Sequence, residues 1–169
     1  MASVKTRSKP AGTGSQGVEV GARVPDFKLA TDADGEVSRA GLMGQPYVLY
    51  FYPKDDTSGC TREAVDFTAA SSKFAKLGVQ VIGISRDSLE SHGKFRRKHK
   101  LKLALASDPD IEAAQAFGVW GEKSLYGRKY MGLERATFLV DAGGRIAAAW
   151  RKVKVPGHVE AVLAEAKKL

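Results

Sequence analysis

The spacing of hydrophobic positions along the chain switches repeatedly between two-residue and helical periods, the mark of strands alternating with helices. From Val24 onward, Phe27 and Leu29 alternate with polar residues, Asp34-Gly35 offers a turn dipeptide, and Val37 resumes the alternation. That pattern predicts a β-hairpin. Pro46 to Tyr52 is a continuous apolar and aromatic run, as expected of a short strand buried on both faces. A loop follows over Pro53 to Gly59. Phe67, Ala70, Phe74 and Leu77 then recur at spacings of three, four and three, one stripe of a single amphipathic helix that Gly78 can end. Cys60 falls at or near the first turn of that helix.

The alternation continues with Val79 to Ile84 as a buried strand and a helix opened by Asp87 and Glu90 at capping-box spacing. Leu103 to Ser107 reads as a short strand. Asp108-Pro109 starts a helix with Ile111, Ala114 and Phe117 on its apolar stripe and Gly118 as its stop. A polar, glycine-containing loop is expected as far as Gly132. Ala136 to Asp141 and Arg145 to Arg151 form an antiparallel pair, because Ala142-Gly143-Gly144 is too short for any other connection. Val159, Val162, Leu163 and Ala166 line a last helix. The order fits an α/β thioredoxin-like fold, a central mixed sheet flanked by helices with the hairpin as an N-terminal extension. Periodicity alone leaves other mixed-sheet topologies open. Residues 1–22, rich in Gly, Pro and Ser, read as a flexible basic tail, and 23–169 as one domain.

Composition narrows the class. In 169 residues, 43% are hydrophobic and 27% charged, so neither a fibrous nor a wholly disordered chain is indicated. The formal charge of +8 raises the question of polyanion binding. The cations concentrate in the tail (Lys5, Arg7, Lys9) and in the run Lys94, Arg96, Arg97, Lys98, Lys100 and Lys102. Such runs are usually solvated faces, so no specific nucleic acid is expected. No stretch has the roughly 20 apolar residues of a membrane span, and the start lacks a secretory core. No membrane association and a cytoplasmic location are therefore expected. One cysteine excludes an internal disulfide and a Cys-rich metal site. His92, His99 and His158 lack metal-ligand spacing and read as surface or packing residues. Without a phosphate-binding loop or dinucleotide fingerprint, no cofactor is implied.

The candidate chemistry lies in Pro53-Lys54-Asp55-Asp56-Thr57-Ser58-Gly59-Cys60-Thr61, between a buried strand and a helix. Unpaired backbone N–H groups and the positive end of a helix dipole favour a thiolate over a thiol. Thr57 is placed either to set its hydroxyl across the same turn or to cap the helix. Pro53 either shields the pocket from water or ends the strand. Gly59 lets backbone approach a small ligand, or relieves a tight bend.

Pro53, Thr57 and Cys60 together match the Pro-x-x-x-Thr-x-x-Cys motif, and the chain resembles the peroxiredoxins. Gly-Ile-Ser-Arg-Asp-Ser at 83–88, Ser-Asp-Pro-Asp at 107–110 and Phe-Gly-Val-Trp-Gly-Glu-Lys-Ser at 117–124 are similar to the PrxQ/BCP type, from about Gly21 to the C-terminus. The resemblance aligns Arg135, in Leu-Glu-Arg-Ala-Thr-Phe-Leu-Val-Asp, with that family's active-site arginine. It implies a thiol peroxidase for hydrogen peroxide and organic hydroperoxides, serving antioxidant defence, in which Cys60 becomes a sulfenic acid. Thr57, Arg135 and the Cys60 N–H would hold the reacting atoms. Many relatives carry a second, resolving cysteine five residues on; here that position is Val65, and residues 87–101 contain none either. The resemblance thus implies regeneration by thioredoxin, glutaredoxin or a low-molecular-weight thiol, and a monomer or weak homodimer. Trp120 reads as a partly buried lid residue. A disulfide exchanger is disfavoured, because Cys60 is followed by Thr61, Arg62 and Glu63 instead of a Cys-x-x-Cys pair.

Overall fold

Strand β3 (Tyr47–Phe51) is buried at every position, as its unbroken apolar run predicts. Tyr47, Leu49 and Phe51 point into one core cluster and Val48 and Tyr50 into another, so the strand has a core on each face. The computed structural model describes residues 18–33 and 35–169. The proposed basic tail at Lys5, Arg7 and Lys9 and the Asp34 half of the hairpin turn lie outside the described residues. Of the stretch grouped with the tail, Gly21 N–H donates to Ile146 O and Val18 packs on the core.

The N-terminal hairpin forms as β1 (Lys28–Thr31) and β2 (Glu36–Ser38), with Leu29 opposite Val37. Chain order then runs through α1 (Ser58–Ala69), α2 (Ser71–Lys76), β4 (Gln80–Ser85), α3 (Leu89–His99), β5 (Ala104–Ser107) and α4 (Glu112–Ala116). It closes with β6 (Trp120–Leu125), β7 (Arg128–Leu133), β8 (Ala136–Val140), β9 (Ile146–Trp150) and α5 (His158–Ala166). The main sheet has seven strands in the order β2-β1-β5-β4-β3-β8-β9. β3, β4 and β5 are parallel, and β1, β8 and β9 make it mixed. Helices α1, α2, α3 and α5 cover one face through Phe67, Phe74, Phe95 and Val162, while α4 and Val24–Leu29 cover the other. This is the mixed thioredoxin-like sheet expected. The pairing of Tyr50 on the first face needs Gly83, where a Cβ would sit 2.8 Å from the Tyr50 ring.

Three local expectations are corrected. The stripe Phe67–Leu77 is two helices, broken at Ala70 (φ −95, ψ 3), whose N–H is shared between Asp66 O and Phe67 O. The break still lets Phe67 and Phe74 meet at 6.0 Å, while Leu77 is exposed. α3 begins one residue later than predicted. Ser88 is its cap and accepts from Ser91 N–H, because the Asp87 carboxylate is engaged by Ser85 Oγ and Asp55 N–H. The segment 120–132, expected as a loop, is the β6–β7 hairpin, a separate two-stranded sheet turned by Tyr126-Gly127 with φ of 52 and 79.

Candidate active site

The chain leaves β3 at Phe51 and enters α1 at Ser58, so the loop between them sits at the carboxyl edge of the parallel strands, a common place for active sites in open α/β sheets. Thr57 occupies the N-cap position in extended conformation, and the first helical bond runs from Thr61 N–H to Thr57 O at 2.8 Å. Helix geometry therefore leaves the N–H groups of Ser58, Gly59 and Cys60 without intrahelical acceptors. Cys60 lies among them and is 1% exposed.

Arg135, at the junction of β7 and β8, reaches across to this turn. Its Nη2 donates to Cys60 Sγ at 3.3 Å and its Nη1 to Glu63 Oε1 at 2.7 Å. Burial disfavours the guanidinium's charge, but the neighbouring Cys60 and Glu63 outweigh it and hold Arg135 above its ordinary pKa. A fixed cation with a donor on sulfur is suited to stabilising anionic sulfur and the oxygens brought to it. Gly59 is what admits it, since a Cβ there would lie 3.2 Å from Nη2. The close approach at Gly59 is thus to Arg135. Gly59→Ala is expected to displace the guanidinium by a few tenths of an ångström and to slow oxidation of Cys60 by peroxide about 10-fold. Stopped-flow rates would check this; an unchanged rate would mean the guanidinium yields freely.

Other sequence-selected residues fall differently. The Thr57 hydroxyl donates to Lys54 O at 2.9 Å and makes no capping bond to α1. Its oxygen remains able to accept. Pro53 is half-buried just after β3. Trp120 is partly buried, with the Arg86 guanidinium 5.0 Å from its ring centre.

Glu63 is the residue that sequence reasoning passed over. It is 0% exposed, and burial, opposed in part by Arg135, pushes its carboxyl up to about 7. A signal was present: Cys60, Glu63, Ala64 and Phe67 are the buried positions of α1, so a carboxylate stands in the apolar stripe. Its partner lies 72 residues away in sequence and no spacing rule finds it.

The loop is also tied down from α3. Asp55 accepts from Tyr52 OH at 2.6 Å and Ser91 Oγ at 2.8 Å and shares a hydrogen bond with His92 Nδ1 at 2.7 Å, while His92 Nε2 lies 3.0 Å from Ala106 O. Lys98, and then His99, hold the Asp56 carboxyl below its usual range from 2.7 and 2.8 Å. Arg96 turns inward to Asp32, at 2.8 Å from Nη2 to Oδ1, and to Leu101 O. Part of the basic run is thus internal wiring. His158 is buried and bonded to Thr137 at 2.8 Å; burial, with Arg135 nearby, lowers its pKa to about 4. His92 and His158 are accordingly buried polar partners, and only His99 approaches the surface.

Comparison with known proteins places these features. Residues 20–149 match the AhpC/TSA family model. Peroxiredoxin Bcp of Bacillus subtilis is 47% identical over 146 residues, covering 86% of this chain and 93% of the relative. A structure giving insights into the alkyl peroxide reduction activity of Xanthomonas campestris bacterioferritin comigratory protein superposes with a TM-score of 0.82 at 42% identity, over 90% of this chain and 98% of the other. A PrxQ variant from Xylella fastidiosa superposes with a TM-score of 0.85 at 36% identity, over 90% and 98% of the two chains.

Proposed function

The chain belongs to the AhpC/TSA family as a peroxiredoxin of the Bcp/PrxQ type, a thiol-dependent peroxidase, and we propose that Cys60 is the sulfur that peroxide oxidises. The observation that carries this assignment is the Arg135 guanidinium on Cys60 Sγ at the amino end of α1. The Cys60 thiolate attacks one peroxide oxygen. An S–O bond forms as the O–O bond breaks, sulfur is oxidised by two electrons, and the alkoxide or hydroxide takes a proton from solvent and leaves as alcohol or water. Arg135 and the α1 N–H groups, with the Thr57 oxygen accepting from the incoming peroxide, orient the reactants and offset the developing charge. Half-buried Pro53 keeps bulk water from the turn.

With one cysteine in the chain, sulfenic acid is returned to thiol by an outside thiol, from thioredoxin, glutaredoxin or a small molecule. Hydrogen peroxide and alkyl hydroperoxides are the proposed substrates, the latter in keeping with the activity studied in the X. campestris relative. No helix among the described residues is long and apolar enough to cross a membrane, and we place this antioxidant activity in the cytoplasm, in a monomer or weak homodimer. One equivalent of hydroperoxide, followed within seconds by a sulfenic-acid trap and peptide mass spectrometry, is expected to label Cys60. Failure to find that adduct would sink the assignment.

A further inference from the structure

Four of the chain's large exposed apolar side chains cluster on one element. In the β6–β7 hairpin Leu125 is 55% exposed, Tyr126 94%, Tyr130 46% and Met131 56%. Leu125 pairs with Arg128 and Lys123 with Tyr130, so Leu125 and Tyr130 share a face with two cations, and Tyr126 forms the tip. With Lys129 added and only Glu122 opposing, the hairpin is cationic and apolar together. Grouped exposed apolar surface of this kind marks interaction sites.

The hairpin's location says which partner it serves. β7 ends at Leu133, and Ala136, three residues on, pairs with Phe51, the last residue of β3 before the Cys60 loop. The hairpin therefore leaves the sheet at the edge that carries Cys60, and the segment joining it to β8 contains Arg135. The chain has no second cysteine, so an outside thiol is required at that edge. Because Cys60 is 1% exposed, that partner must grip beside the sulfur while the turn opens.

We propose that the β6–β7 hairpin is the docking surface for an acidic protein dithiol that regenerates Cys60, a proposal that rests on the peroxidase reading above. One thiol of the partner attacks the sulfenic sulfur, forming a mixed disulfide and releasing water. The partner's second thiol then displaces Cys60 as thiol, so the dithiol supplies both electrons and leaves as its disulfide. Charge complementarity favours this occupant over a second copy, since two cationic hairpins repel.

The test uses the whole protein with thioredoxin and its reductase, with glutaredoxin, and with dithiothreitol. One variant combines Leu125→Thr, Tyr126→Asn and Tyr130→Thr, which keep strand and left-handed preferences; a second combines Arg128→Glu and Lys129→Glu. Each is expected to raise KM for the protein dithiol about 10-fold while leaving dithiothreitol-driven turnover and peroxide oxidation of Cys60 unchanged. The unmodified chain's KM should also rise as salt increases from about 0.05 to about 0.3 M. Unchanged KM in both variants, or turnover with dithiothreitol but with neither protein dithiol, overturns the proposal. So does hairpin-dependent sedimentation with phosphatidylglycerol vesicles or hairpin-dependent dimerisation without any change in KM, either of which assigns the face elsewhere. If Cys60 of the unmodified chain fails to form sulfenic acid, the peroxidase assignment itself fails, a result distinct from all of these.

Discussion

Cys60→Ser is expected to bring peroxide turnover down to the uncatalysed background, a loss of at least about 10⁴-fold. The substitution changes one atom of a side chain that is 1% exposed, and the serine oxygen can still accept from Arg135. What it removes is the sulfur, a far better nucleophile than a hydroxyl oxygen and one that can be oxidised to a sulfenic acid. The packing of Tyr50 on Phe67, at 4.7 Å between rings, and the rest of that core are untouched, so the melting temperature should move by no more than about 5 °C. Peroxide consumption measured beside thermal unfolding separates the two readouts. Retained activity in the serine variant would mean that another group carries the chemistry.

The strands that position this site were legible because burial on both faces demands an unbroken apolar run, and Pro46 to Tyr52 has one. The β6–β7 hairpin was not, because most of its side chains face solvent and its turn is Tyr126-Gly127, where a tyrosine adopts the left-handed conformation that usually calls for Asn or Asp. The break at Ala70 escaped because the apolar spacing carries straight through it. Within the site, Cys60 could be placed at a helix start from local pattern alone. Arg135 needed the family resemblance, since its contacts with Cys60 and Glu63 join β7–β8 to α1 and exist only after folding. Asp87 illustrates a third cause: its spacing from Glu90 fits a capping box, but Ser85 and the distant Asp55 N–H claim its carboxylate first.

Arg135→Met is expected to slow oxidation of Cys60 by peroxide about 10²–10³-fold, the range seen when one fixed donor to a developing anion is lost. It also strands Glu63, whose Oε1 loses its partner and whose Oε2 is already buried without one. Removing one member of a buried ion pair typically costs about 3–5 kcal/mol while the other stays charged. Glu63 need not stay charged. Burial already pushes its carboxyl to about 7 against the pull of Arg135, so without Arg135 it moves higher and takes up a proton. An acid whose folded-state pKa lies above its unfolded value favours folding at low pH, and that advantage is lost as pH rises through the folded value. The methionine variant should therefore be close to the parent in stability at about pH 5 and clearly weaker at about pH 8, as read by denaturant unfolding. Adding Glu63→Gln removes the ionisable group, and the double variant should regain stability at the higher pH without regaining activity. Equal destabilisation of Arg135→Met at both pH values would show that Glu63 is not the group being stranded. Recovery of peroxide reactivity in the double variant would show that Arg135 served only to neutralise Glu63 and contributed nothing at the sulfur.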